Sequence, residues 1–270
     1  MISRVEHAGR KYGFVGWIAA RSMLAYIAEV LTSTIFLGVI MFIFLNLWRV
    51  TFSSVNAKTL GGLSLPQMLW YLAMTEAILT SRQRVAAAVD HDVRTGAVAV
   101  HLLRPLSYPL YRLWTDVGER GVSFALRIGI VSSIAFVFVG PIPFSLSGLA
   151  LFALSVPLAF LLDFLIFFAI GLCAFWLEDT SGLVLIVSRI TMILGGMLIP
   201  LELFPDAFQP VLRVLPFSSI VYGPARMFVN PNLEFLLNLL LRQGVAILAL
   251  TGLVALIYRV ALRRINANGG

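Results

Sequence analysis

The sequence predicts an all-α membrane protein: six transmembrane helices, an N-terminal amphipathic helix on the membrane surface, and a re-entrant helical hairpin on the outer side. Three observations carry this prediction. Hydrophobic residues make up 60% of the 270 positions and charged residues 12%, whereas soluble domains carry about 25% charge, and the mean hydropathy is +0.94. Apolar runs recur along the chain at or near the roughly 20 residues that a bilayer crossing needs. The basic residues gather in alternate connections between those runs, as a topology bias would place them.

The first 22 residues form the surface helix. Ile2, Val5, Tyr12, Val15, Ile18 and Ala19 recur at near-helical spacing with Arg4, Glu6, Arg10 and Lys11 between them, which lays one apolar face on the membrane. This segment is charged for too long, and lacks a small-residue cleavage site, to read as a secretion signal. Residues 23–270 form the spanning domain, with a cytoplasmic loop at 82–121 and the outer hairpin at 200–230.

The six spans fall at residues 24–48, 66–80, 122–140, 149–176, 183–200 and 237–258. The second is short. The fourth is long and holds Pro157, so it is expected to tilt or kink. Trp48, Trp176 and Tyr258 lie at span ends, where interfacial aromatics collect. Orientation follows from Lys and Arg. The N-terminal segment, the 82–121 loop and the C-terminal tail hold 13 of the 20 bases, which sets both termini and that loop in the cytoplasm. The net charge of +7 then follows from topology, and no nucleic-acid partner is needed to explain it. After the fifth span, prolines at 200, 205, 210, 216 and 224 break the chain into apolar pieces too short to cross. Such a segment suits a hairpin whose backbone is surrounded by protein.

Motifs for chemistry are few. Cys173, the sole cysteine, excludes a disulfide framework and a cysteine-rich metal site. The Asp90-His91-Asp92 triplet has no further cluster beside it to close a metal site. Of the two lysines, Lys58 precedes threonine but follows Ala57, so there is no P-loop, and if ATP drives this protein another polypeptide binds it. Ionisable residues inside spans are costly and therefore informative. Asp163 sits near the middle of the fourth span, and Glu29, Glu76, Arg127 and Arg189 lie one to two turns from cytoplasmic span ends. Two readings stay open for Glu29, Glu76, Asp163 and Arg189: a salt-bridged cluster that latches the bundle, or contact with a substrate, strongest for Asp163.

The stretch "RTGAVAVHLLRPLSYPLYRLW" resembles the cytoplasmic coupling segment of type 2 ABC transporter permeases, and its "LLRP" ending is most similar to the viologen-exporter-like branch. The resembling features are charged Asp92 and Arg94, then Gly96, a short helix ending in Leu102 and Leu103, and the stop Arg104-Pro105. Many members have Gly-Thr-Leu-Glu where this chain has Gly96-Ala97-Val98-Ala99, so that acid is missing. "AFWLED" at 174–179, "IPLELFP" at 199–205 and "LPFSSIVYGPARMF" at 215–228 extend the similarity over nearly the whole chain.

The resemblance implies the membrane subunit of an ATP-driven exporter, here of the multidrug-efflux kind, in a bacterial inner membrane. It implies a pair of permeases, alike or sister chains, with two copies of a separate ATPase that carries the ATP and Mg; this chain needs no cofactor and is not itself an enzyme. Membrane lipid is its surroundings. The first, second and fifth spans would line the path. An apolar edge of Val98, Leu102 and Leu103, flanked by Arg94 and Arg104, would seat the coupling helix in a groove of the ATPase. Two other functions remain open at this level: an intramembrane enzyme acting on lipid and a secondary carrier. The absence of matched broken helices in two halves disfavours the carrier.

Overall fold

The computed structural model describes residues 2–141 and 145–268, and side chains within these except residues 2–8, 29–31, 33–35 and 265–268. The described chain is helical, with an isolated bridge between Leu60 and Leu63 as its single piece of β structure. In chain order the helices are α1 (Ile2–Leu24), α2 (Ile27–Ser54), α3 (Leu65–Thr80), α4 (Val85–Arg94), α5 (Ala97–Leu102), α6 (Tyr108–Val139), α7 (Leu146–Leu172), α8 (Ser181–Leu194), α9 (Gln209–Val214), α10 (Pro216–Ile220), α11 (Tyr222–Val229) and α12 (Leu233–Asn268). Among the described residues four helices are long and apolar enough to cross a membrane: α2 from Phe36, α6, α7 with its 3-10 extension, and α12 to Arg264. The second and fifth predicted spans are shorter, 16 residues in α3 and 14 in α8.

The short α3 is the centre of the molecule. Every residue from Met68 to Ile78 is buried, against α2, α6 and α11. A helix covered on all sides needs no amphipathic stripe, and α3 shows none. Its start is fixed by a capping box in which the Ser64 amide donates to Gln67 Oε1 at 2.9 Å, satisfying an orphan donor of the first turn.

The third span begins earlier than the hydropathy places it. α6 starts at Tyr108, so much of the 82–121 loop is helix. Its lower turns stay charged because they pack against protein. α1 lies along α6, with Gly16 and Gly118 at the crossing. A Cβ on Gly118 would stand 2.0 Å from the Gly16 carbonyl oxygen, so the two backbones meet with no room for a side chain.

The proline-rich segment folds back onto the bundle. α8 ends at Gly195 and Gly196, the latter at φ +75. The Tyr71 hydroxyl donates to the Gly196 carbonyl, and Tyr222 N donates to Gly195 O at 3.0 Å. α11 then packs between α3 and α7, nearly all of it buried. Glu202 ties the segment together, accepting from the Tyr222 hydroxyl at 2.6 Å and pairing with Arg226 Nε at 3.2 Å. This is how so many prolines coexist with helix: each short piece ends where a neighbour supplies its partners.

Candidate functional site

Two features emerge: a cavity bounded by α3, α4 and α8, and a helical finger, α4 and α5, fastened to the bundle by buried ion pairs.

The cavity has a volume of about 580 Å³, within the roughly 300–1,000 Å³ of small-ligand sites. Ile40 of α2, Met192 of α8 and Met197 form part of its apolar wall, and Glu76, Asp90, Asp179 and Arg189 its polar wall. Glu76 and Arg189, both singled out from the sequence, thus face one space. Asp163 does not line it, but Arg82, which holds Asp163, does. The Glu29 side chain lies outside the described residues. At the rim beside the start of α8, Asp179 accepts from the Ser181 amide at 2.9 Å and from its hydroxyl. These bonds to the charged form hold its carboxyl below the ordinary aspartate value.

Asp163 is 2% exposed and is gripped from two sides. Arg82, just past the end of α3, donates from Nε to both carboxylate oxygens at 3.0 and 2.9 Å. Arg120 of α6 donates from Nη2 at 2.8 Å and faces Asp116, one turn earlier, at 3.5 Å. The rings of Phe167 and Phe160 lie 4.2 and 5.0 Å from these two guanidinium carbons. The arrangement places Asp163 level with the C-terminal end of α3, nearer that end than the span centre where hydropathy put it. It also joins α3, α6 and α7 in one charge-balanced knot. Sequence reading took Arg82 and Arg120 as loop bases. The four-residue spacing of Asp116 and Arg120 was the available signal, but it speaks only to α6.

The finger is α4 and α5. Asp92 pairs with Arg112 and accepts from the buried Tyr108 hydroxyl at 2.7 Å, and Arg112 also donates to Ala88 O at 3.2 Å. α4 itself packs on α7. Gly96 opens α5 at φ +70 with open space around it, so conformation rather than crowding calls for glycine there. The resembling segment then divides. Val98 is buried in the core, while Val100, Leu102 and Leu103 face outward, Leu103 with 87% of its surface exposed. Arg104 and Pro105 are exposed beside it. Arg94 is engaged within α4, donating to Asp90 at 2.9 Å. The outward apolar tip is therefore Val100, Leu102 and Leu103, with Val98 as its root. His101 packs in tilted contact with Tyr111 and Tyr108, at 4.9 and 5.5 Å between ring centres. Partial burial among these rings lowers its basicity, Asp92 raises it, and Arg104 and Arg112 lower it; the net effect is downward.

No curated protein matches the chain. A family model described as ABC-2 family transporter protein matches residues 37–269, which takes in the cavity, the knot, the finger and the folded-back segment. Permeases of this family normally work with an ATPase subunit. On that match, together with four long apolar helices, the chain is a multi-pass membrane protein that belongs to the ABC-2 family of transporters.

Proposed function

We propose that the chain is the permease subunit of an ATP-driven exporter and takes its driving force from a separate ATPase docked on the α5 tip. The observation that carries this reading is the exposed Val100, Leu102 and Leu103 cluster on a finger otherwise fastened to the bundle by Asp92, Tyr108 and Arg112. An apolar tip that projects away from the long apolar helices gains by burial in a protein groove, and its anchored root transmits a push to α6 and α7. Arg104 sets orientation, while Arg94 stiffens α4. Two ATPase copies, each with ATP and Mg, would serve two permease units.

In this reading α2, α3, α6, α7, α8 and α12 are the six spans, in a bacterial inner membrane with both termini cytoplasmic. At about 1.5 Å per residue, α3 and α8 fall short of the roughly 30 Å core, and the folded-back α9–α11 segment completes the outer side as a re-entrant hairpin. The cavity holding Glu76 and Arg189 is the transport path. Exposed apolar residues on α2 (Phe36, Val39, Ile43) and on α8 (Leu185, Ile186) face the side where a second permease would close it.

The test is purification of the tagged chain from native membranes in mild detergent, with mass spectrometry of what accompanies it. A P-loop ATPase near stoichiometry, lost from the Leu103→Asp/Arg104→Asp variant, is the expected result. An ATPase retained by that variant would move the docking surface elsewhere, and no ATPase in any preparation would remove the engine.

A further inference from the structure

At the hairpin end of the bundle, α9, α10 and the start of α12 enclose a polar cavity of about 240 Å³. Two guanidiniums from separate elements meet there: Arg213 in the last turn of α9 and Arg242 in α12. Arg242 Nη1 donates to the Arg213 backbone carbonyl at 3.3 Å, which ties the Arg242 side chain to the end of α9, and both arginines line the cavity. Arg213 Nη2 reaches the neutral Gln209 Oε1 at 3.4 Å. Among the described residues neither guanidinium has a carboxylate within ion-pair distance, although the third arginine of this region, Arg226, is matched by Glu202. Glu234 lines the cavity as the one acid against two bases, and the buried Ser218 and Ser219 of α10 form its floor.

Two like charges lining one cavity make it attractive to an anion. Topology does not explain them, because this is the base-poor side of the bundle. Depth and surroundings indicate which anion. α12 has 36 residues, about 54 Å at ~1.5 Å each, and centred on a ~30 Å hydrocarbon core it overhangs by about two turns at each end. Arg242, about 14 Å from the start of α12, falls near the boundary between headgroups and hydrocarbon. From that level an exposed apolar stripe, Leu241, Val245 and Leu248, runs inward along α12. A charged socket with an apolar track leading away from it fits an amphiphile whose phosphate enters and whose chains stay outside.

We infer that Arg213 and Arg242 form a phosphate site that holds the headgroup of a phospholipid in the leaflet at the hairpin end. Arginine pairs suit this group because their planar donors match phosphate oxygens. The test is native mass spectrometry of the full chain in maltoside detergent, titrated with dioleoyl phosphatidylglycerol. Wild type should bind one lipid at this site, the Arg213→Gln/Arg242→Gln variant should bind it about tenfold more weakly, and the corresponding double lysine variant should recover part of the loss. Lys58→Gln, an exposed base on the same side, should change nothing. Both arginines are exposed, so an unchanged melting profile checks that the variants fold. Retention of the lipid in millimolar inorganic phosphate supports a lipid headgroup. Displacement by inorganic phosphate assigns the site to the free anion and overturns the lipid. Equal lipid binding by wild type and the glutamine variant overturns the site altogether.

Discussion

Arg82 lies along both oxygens of Asp163, at 3.0 and 2.9 Å from its Nε, and so clamps the end of α3 to the flank of α7. Arg120 holds the same carboxylate from α6. Removing Asp163 alone leaves Arg82 with no carboxylate beside it and Arg120 with Asp116 only, both guanidiniums packed against Phe167 and Phe160. Breaking such a buried pair costs roughly 3–5 kcal/mol, whereas apolar replacement of the whole set is often neutral. Asp163→Ala should therefore lower the melting temperature of the purified chain sharply, and an Asp116→Leu/Asp163→Leu/Arg82→Met/Arg120→Met variant, which replaces the whole set, should recover most of the loss. A melting temperature unmoved by Asp163→Ala would deny the knot a structural role.

The Gly16–Gly118 crossing makes a sharper steric prediction. Gly118→Leu should separate α1 from α6, because even a Cβ at Gly118 overlaps the Gly16 carbonyl. Gly9→Leu, with open space around it, should leave α1 in place. Limited trypsin digestion reads the difference at Arg21, which should become cleavable in the first variant and stay as in wild type in the second.

His101 supplies a pH dependence. Its folded-state basicity is lowered from the ordinary histidine value of 6.5, first by burial. The unfolded chain thus binds the proton more readily, and the stabilisation from neutral His101 is present above that value and lost as pH falls below it. Packing of α5 on α6 should loosen between pH 7 and mildly acidic conditions, read as hydrogen exchange at residues 97–108. His101→Phe should flatten this response. An identical pH response in that variant would show that another group controls it.

Glu76 and Arg189 share the cavity with Asp163 outside it. Glu76→Gln and Arg189→Gln should change transport, or the drug resistance conferred on cells, while ATPase co-purification stays as in wild type. Asp163→Asn should reduce the amount of folded chain first, and transport only in proportion. Transport per folded molecule that is equal in wild type and both glutamine variants would take the path away from this cavity.

Periodicity and composition determined much of this protein. The apolar runs that became α2, α6, α7 and α12, the helix at the N-terminus and the proline-broken segment after α8 were all legible, because burying or shedding hydrocarbon is written in consecutive residues. The Gly96 to Pro105 segment was legible because a positive-φ start and a proline stop are local requirements. What the sequence did not disclose was which charges would meet. Arg82 and Asp163 are 81 residues apart, Asp92 and Arg112 are 20 apart, and a lone acid in an apolar run reads the same whether it faces a substrate or an arginine. Val98 and Leu103 likewise look alike on a short helix until α4, α6 and α7 surround one and leave the other bare. The sequence by itself determined the helices and their class. Only the tertiary structure decided the charge pairing, the burial of α3 and the outward face of α5, because electrostatic and packing partners are chosen by distance in space.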